Sequence, residues 1–459
     1  MNKRFLKPPL SSAREVALQV VYRVVEEGAF ANLALQEALR HSKLGPPDRR
    51  LATEIAYGAI KAWPTLDWAL SLLLKKSQAD LPPLIRCILR LGAYQLLFLD
   101  RVPPWAAINE AVELAKKYGH TGTARLVNGV LRNLTRLEKL PFPSLDFNPV
   151  RHISLKYFHP SWLVEKWLSL YGLEETLALC EADNRPAPLT LRTNTLKISR
   201  QELSRLLAAA GWRVEPAFYA PEGLVVENLE GLEEGPAFEQ GYFYLQDEAS
   251  MLVAHALGVR PGVTVIEACA APGGKTTHLA QLMQNRGRII AVDASASRLK
   301  LIEENCRRLG VTCVETIEAD ARTLGEKFAC QADFLLVDAP CSGLGVLRRR
   351  PDARWRKEPT QLKDLPKLQI EILEGVLPCL KPGGILLYST CSMAPEENSE
   401  VIKALLNAHP QLQLQDLRPF LPNLPADLQQ EAACGQVQFY PHRHGLDGFF
   451  FARLKMKDF

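Results

Sequence analysis

The 459-residue sequence has no uninterrupted apolar stretch near the roughly 20 residues that a membrane span needs, and Lys or Arg breaks every long helical candidate. A membrane-spanning protein is therefore not expected. Its first residues, Met1-Asn-Lys-Arg-Phe-Leu-Lys-Pro-Pro-Leu10, carry charge without an apolar run behind it, so the middle region of a secretory signal is missing. Low-complexity tracts are absent too, and a composition of 47% hydrophobic and 23% charged residues suits a globular chain rather than a disordered one. Among ten cysteines there is no C-x-x-C and no Cys/His set at zinc spacing, so no metal site is expected. Without a secretory signal these thiols belong in a reducing compartment, which argues against disulfides and for small core residues. The protein reads as cytoplasmic, with no membrane partner.

What is present begins with length. A chain this long exceeds one ordinary core, so two or three domains are expected. Its net charge of +4 hides an asymmetry: residues 1–140 carry 21 Lys/Arg against 12 Asp/Glu, and residues 141–459 carry 34 against 39. A lobe of +9 joined to a body of −5 suits a polyanionic partner held by the lobe, and it would equally suit a solvated helical surface.

Residues 11–140 read as helices throughout. Val16, Val20, Val21, Val24 and Val25 follow a helical period that Gly28 stops, and similar stripes occupy about 33–42, 48–62, 66–75, 82–99, 105–118 and 121–137. Pro64, Pro82-Pro83 and Pro103-Pro104 punctuate them. An all-α domain over residues 1–145 is expected. Residues 146–245 predict a small α+β unit, with helices near 160–171, 173–183 and 199–210 and strand-like segments at 189–195, 213–219, 223–228 and 242–245. Over residues 246–459 apolar strands alternate with helices: Val263–Cys269, Arg288–Asp293, Cys313–Asp320, Asp333–Asp338 and Gly384–Ser389, then segments near 411–417 and 447–454. Such alternation predicts an α/β domain with a parallel, doubly wound sheet covered on both faces, and ligands in such sheets bind beyond the carboxyl ends of the strands.

The first strand runs into Cys269-Ala270-Ala271-Pro272-Gly273-Gly274-Lys275-Thr-Thr-His278. Strand, Gly-containing turn and helix N-terminus together make a site for a nucleotide-like ligand. A phosphate-binding P-loop is one reading, since Gly274-Lys275-Thr276 has its ending, but Cys269 stands where its first glycine belongs and Pro272 removes a backbone donor. A dinucleotide fold would need G-x-G-x-x-G, which is missing. A methyl-donor site is the third reading. Asp293 closes strand two, where a carboxylate can take both ribose hydroxyls, and Asp320 closes strand three, placed to meet an adenine edge.

Strand four leads into Asp338-Ala-Pro-Cys341-Ser-Gly and strand five into Ser389-Thr-Cys391-Ser392, followed by Pro395-Glu-Glu-Asn-Ser399, so both thiols should face one pocket. Methylation at carbon 5 of cytosine needs such a set. A thiolate adding to carbon 6 makes carbon 5 nucleophilic, a carboxyl group at ring nitrogen 3 stabilises the developing charge, and a base removes the carbon 5 hydrogen. A cation such as Lys275 would favour the thiolate. A zinc deaminase would need H-x-E and P-C-x-x-C, and neither occurs.

At these residues the sequence resembles the RNA 5-methylcytosine methyltransferase family, specifically its bacterial 16S ribosomal RNA branch, over nearly the whole chain. The resemblance implies a Rossmann-like class I methyltransferase sheet, a small α+β subdomain and an all-α NusB-like RNA-binding domain, with 16S rRNA as the partner and no protein partner implied. It implies that S-adenosyl-L-methionine is held by Cys269, Ala270, Ala271, Pro272, Gly273, Gly274, Lys275, Asp293, Asp320 and Asp338. Catalysis would rest on Cys391 as nucleophile and Cys341 in product release, with Asp338 and Lys275. Chemistry alone leaves the two thiols interchangeable; the match at Ser389-Thr-Cys-Ser392 assigns them. Arg90-Leu-Gly-Ala-Tyr-Gln-Leu-Leu and Val127-Asn-Gly-Val-Leu-Arg carry the NusB-like resemblance. An ATPase acting on RNA and a non-catalytic RNA-binding factor are the rival functions.

Overall fold

The computed structural model describes residues 10–75, 77–227, 231–421 and 423–458. Residues 1–9, read above for a secretory signal, and Asn228, the end of one strand-like segment, lie outside them. The chain forms two compact units, Met1–Asn184 with Leu347–Lys357, and Arg185–Val346 with Glu358–Phe459. No helix among the described residues is long and apolar enough to cross a membrane.

The first unit is helical: Ala13–Val25, Ala31–Arg40, Pro46–Ser71, Pro83–Phe98, Pro104–Tyr118, Thr121–Leu134, Pro149–Tyr157 and Ser161–Ala182. Pro46, Pro83 and Pro104 open their helices, where the missing N–H would have had no intrahelical partner. Pro64 departs from the sequence expectation of a break: one helix runs from Pro46 to Ser71 straight through it. Proline removes the donor for the carbonyl four residues earlier. The indole Nε1 of Trp355 replaces it, donating to Ile60 O and Lys61 O at 3.1 Å each. Gly172 does interrupt its helix, at φ 77°.

Arg90, Gly92 and Tyr94 of the first motif are structural. Buried Arg90 donates to both oxygens of Asp67 at 2.7 and 2.8 Å and to Glu26 at 3.1 Å, and Tyr94 donates to Glu54 at 2.8 Å. Gly92 admits close helix packing, since a Cβ there would stand 2.5 Å from Leu131 Cδ1. The sequence does not foretell that Leu347–Lys357 joins this unit. Its Arg354, fully buried, donates to Phe158 O, Asn184 Oδ1 and Asp183 O. Helices Pro149–Tyr157 and Ser161–Ala182, which the sequence grouped with the α+β unit, also cluster here.

The second unit holds two sheets. The smaller comprises β1 (Leu189–Thr193), β2 (Val214–Pro216), β3 (Gly223–Val226) and β4 (Phe243–Leu245), antiparallel in the order β2-β3-β1-β4. The larger comprises β5 (Thr264–Ala268), β6 (Arg288–Asp293), β7 (Val314–Glu318), β8 (Ala332–Asp338), β9 (Leu380–Thr390), β10 (Leu412–Leu414), β11 (Gln436–Gln438) and β12 (Phe450–Met456). Its order is β10-β12-β9-β8-β5-β6-β7, with β11 paired to β12. Strands β5 to β9 run parallel as expected, and β5, β6, β8 and β9 carry near-continuous buried runs, whereas the edge strand β7 is only partly buried. The wholly parallel sheet is corrected at one edge: β10, β11 and β12 are antiparallel. The chain enters β12 beside the carboxyl end of β9, with Phe450 opposite Thr390, so it must run back. The architecture is Rossmann-like with a mixed sheet.

Candidate active site

Strand order reverses around β5, which lies between β6 and β8 and so opens a crevice at their carboxyl ends. The loop leaving β5 carries the small residues picked out in the sequence. Cys269 adopts φ 59°, the Ala271–Pro272 peptide is cis, and Gly273 adopts φ 96°. A Cβ on Gly273 would stand 3.1 Å from Ile302 Cα, so glycine is needed for space as well as for conformation. The helix Gly274–Leu282 then begins without a side-chain cap, presenting its N-terminal end to the crevice. Arg192 braces this turn by donating to Gly274 O and, at 2.8 Å, to Thr277 Oγ1.

Three of the loop's donors are already spent. Ala270 N donates to Val292 O, Ala271 N to Asp293 Oδ2 and Gly273 N to Ala270 O, while Pro272 has none. A P-loop needs those N–H groups turned toward phosphate, so that reading fails on geometry. Asp293, 4% exposed, accepts from Ala271 N at 3.2 Å and Ser295 N at 3.1 Å and pairs with Arg298 at 3.3 Å. It therefore fixes the loop as well as ending β6. Asp320 lies two residues beyond β7, half exposed, and its carboxylate takes the Arg322 guanidinium at 2.7 Å. Hydrogen bonds from Arg322 hold its pKa below the usual carboxylate range.

The other two strand ends meet as anticipated. Cys341 Sγ and Cys391 Sγ are 3.4 Å apart. The thiol–thiol hydrogen bond, and burial after it, push Cys341 well above the usual thiol range. Asp338 accepts from Lys275 Nζ at 2.6 Å and from Ser389 Oγ at 2.8 Å. Burial opposes the charge on Lys275, but Asp338 outweighs it and holds the ammonium above its ordinary pKa. The cation expected from the sequence is present, tied to the expected carboxylate. Two thiols beside a Lys–Asp pair can present a nucleophile and a proton-handling group to one ring.

Sequence reasoning missed the residue that holds the two cysteine loops together. Glu397, fully buried, accepts from Ser342 N at 2.7 Å, from Gln369 Nε2 at 3.3 Å and from both the Ser342 and Ser392 hydroxyls. Ser342 follows Cys341 and Ser392 follows Cys391, so one carboxylate sets both thiols. Its segment, Pro395-Glu-Glu-Asn-Ser399, stood out in sequence, but nothing there distinguishes Glu397 from Glu396. Glu267 in β5 was also unassigned. Burial raises its pKa to about 8, keeping it protonated at neutral pH. All ten cysteines are free; Cys87, Cys180, Cys306 and Cys379 are buried as expected of core thiols, while Cys330 and Cys434 are exposed.

The helical unit carries a separate feature, a groove of about 1030 Å³ along helices Pro104–Tyr118 and Thr121–Leu134. Trp105, 74% exposed, stands at its rim, and Lys116, Arg125, Arg132 and Arg136 line it. No acidic residue lines it among the described residues.

Comparison with known proteins agrees with this architecture. Residues 254–455 match the family model for 16S rRNA methyltransferase RsmB/F, residues 11–136 that for the NusB family, and residues 159–230 that for the methyltransferase RsmF/B-like, ferredoxin-like domain. The chain is 40% identical over 452 residues to the probable ribosomal RNA small subunit methyltransferase B of Bacillus subtilis strain 168, covering 97% of this chain and 99% of that one. The crystal structure of PH0851 superposes with a TM-score of 0.82 at 29% identity, covering 98% of this chain and 99% of that one. The crystal structure of NSun6 from Pyrococcus horikoshii with SFG has a TM-score of 0.58 at 28% identity, over 65% of this chain and 98% of that one.

Proposed function

The chain belongs to the 16S rRNA methyltransferase RsmB/F family, and from that membership we propose that it methylates carbon 5 of a cytosine in 16S rRNA through a covalent cysteine–cytosine adduct. The observation that carries the reading is the Cys341–Cys391 pair, 3.4 Å apart beside Asp338 and Lys275. S-adenosylmethionine supplies an electrophilic sulfonium methyl. The crevice fits such a molecule: a glycine turn that a Cβ would crowd, an uncapped helix start and carboxylates at the ends of successive strands. Cys269 to Lys275, Asp293, Asp320 and Asp338 are the residues assigned to hold it.

Cys391 is assigned the attack on carbon 6, and Asp338 the contact with ring nitrogen 3. Lys275 stabilises negative charge at the pocket. After methylation a base takes the carbon 5 proton, the C5=C6 double bond re-forms and the carbon 6–sulfur bond breaks to release Cys391 as thiolate, a step that Cys341 is assigned to assist. Transfer of labelled methyl from S-adenosylmethionine to 16S rRNA, followed by nucleoside digestion, tests the reading. Label in 5-methylcytidine is expected, and label in any other nucleoside refutes it.

The Asp293→Ala protein is expected to bind S-adenosylmethionine about 1.5–3 kcal/mol more weakly, the scale of hydrogen bonds to a charged group. Unchanged affinity by calorimetry in a folded variant would remove Asp293 from the cofactor site.

The basic groove of the helical unit is the surface we assign to RNA. Its arginines suit phosphates and Trp105 offers a face on which an unpaired base can stack. Replacing Arg125, Arg132 and Arg136 with Ala should lower the slope of log affinity against log salt by about 2–3, close to one for each phosphate no longer neutralised. Cofactor affinity should stay as it was. An unaltered slope in filter-binding assays would mean that the lobe's charge is only solvated surface. The same RNA-bound reading places the protein in the cytoplasm.

A further inference from the structure

Away from the cysteines, Glu222, His255 and His278 bring three ligand-type side chains together. Glu222 immediately precedes β3, His255 lies in helix Glu248–Leu257 and His278 in helix Gly274–Leu282. One ligand atom from each lies within 4.8 Å of the other two. His255 Nε2 is 3.0 Å from both carboxylate oxygens, and His278 Nε2 is 2.7 Å from Oε1.

Two features separate this cluster from a self-sufficient hydrogen-bond network. His278 is 1% exposed, yet neither ring nitrogen makes a hydrogen bond, so the short approach of Nε2 to Glu222 is misaligned for an N–H donor. A buried unpaired imidazole is costly, and a shared cation would give its lone pair a target while the carboxylate stands off the ring axis. Second, His255 is centred between the two oxygens rather than directed at one.

We propose that Glu222, His255 and His278 bind a divalent transition-metal ion of the zinc type. Two imidazoles and a carboxylate form a three-ligand zinc set with one position left for water, whereas magnesium and calcium prefer all-oxygen sites. Tetrahedral zinc at ligand distances of about 2.0–2.2 Å spaces its ligand atoms about 3.3–3.5 Å apart, so each imidazole and the carboxylate would part by a few tenths of an ångström to admit the ion. The ion would clasp the segment before β3 to two helices, one of which opens with the Gly274-Lys275 end of the crevice loop. No sequence signal marks the site, because its ligands come from three elements with no motif spacing.

The test uses the full chain, stripped with chelator and titrated with Zn²⁺ against a chromogenic competitor. One equivalent is expected, and Glu222→Gln, His255→Gln and His278→Gln should each weaken it at least about tenfold. A Cys341→Ser/Cys391→Ser double variant should keep it. Cobalt substitution of the wild-type chain adds a readout that does not depend on folding of a variant: visible ligand-field bands without thiolate charge-transfer absorption are expected. No bound zinc, equal binding by the three variants, or a thiolate band would overturn the proposal.

Discussion

Cys341→Ala protein, incubated with S-adenosylmethionine and substrate RNA, is expected to run as a protein–RNA conjugate on a denaturing gel, and Cys391→Ala protein as free enzyme. The thiol at the end of β9 is assigned the bond to carbon 6, so its loss should reduce methyl transfer by at least about 10³-fold and leave no adduct. Loss of the other thiol spares the attack but removes the group that serves release, so the methylated intermediate accumulates. At 3.4 Å either sulfur could reach the same ring, and geometry alone does not rank them. The resemblance of Ser389-Thr-Cys391-Ser392 to the family's nucleophile segment does, and it assigns the attack to Cys391. A shifted band from Cys391→Ala and none from Cys341→Ala would reverse the roles.

Removing Glu397 should be nearly as damaging, through a different route. Glu397→Ala leaves Ser342 N and one of the two serine hydroxyls without an acceptor inside a buried site, while Gln369 keeps Pro340 O and the hydroxyls keep each other. Each unpaired buried group costs about 1–3 kcal/mol, so a loss of at least about 2 kcal/mol of stability is expected. Both thiols then lose their fixed positions, and a displacement near 1 Å lowers turnover by about 10²-fold. Glu397→Gln keeps one acceptor oxygen and should recover part of the stability. Adduct formation in the Cys341→Ala background reports the alignment directly: the added Glu397→Gln change should slow it, while cofactor affinity holds. Wild-type rates of adduct formation would show that Glu397 is a structural bond only.

The parts of the fold set by local patterning were legible from sequence. Apolar runs read at Arg288–Asp293 and Asp333–Asp338 are buried parallel strands, and Pro83 and Pro104 sit at helix starts. Pro64 misled because its effect depends on Trp355, nearly 300 residues away, which supplies the missing hydrogen bond. The antiparallel edge was hidden because strand direction depends on where the chain re-enters the sheet. At the site, strand-end motifs pointed to Cys341 and Cys391 together, since both lie where a doubly wound sheet gathers its loops. Glu397 and the Glu222–His255–His278 cluster were not visible: their partners are chosen by tertiary packing, and one carboxylate in a chain looks like another.

The central claim is that this chain makes 5-methylcytosine in 16S rRNA, and bisulfite mapping of that RNA from cells with and without the protein tests it most directly. One cytosine should resist conversion when the wild-type chain is present, and should convert fully when the gene is absent or encodes Cys391→Ala. An identical conversion pattern with and without the chain, at every cytosine of 16S rRNA, would contradict the account.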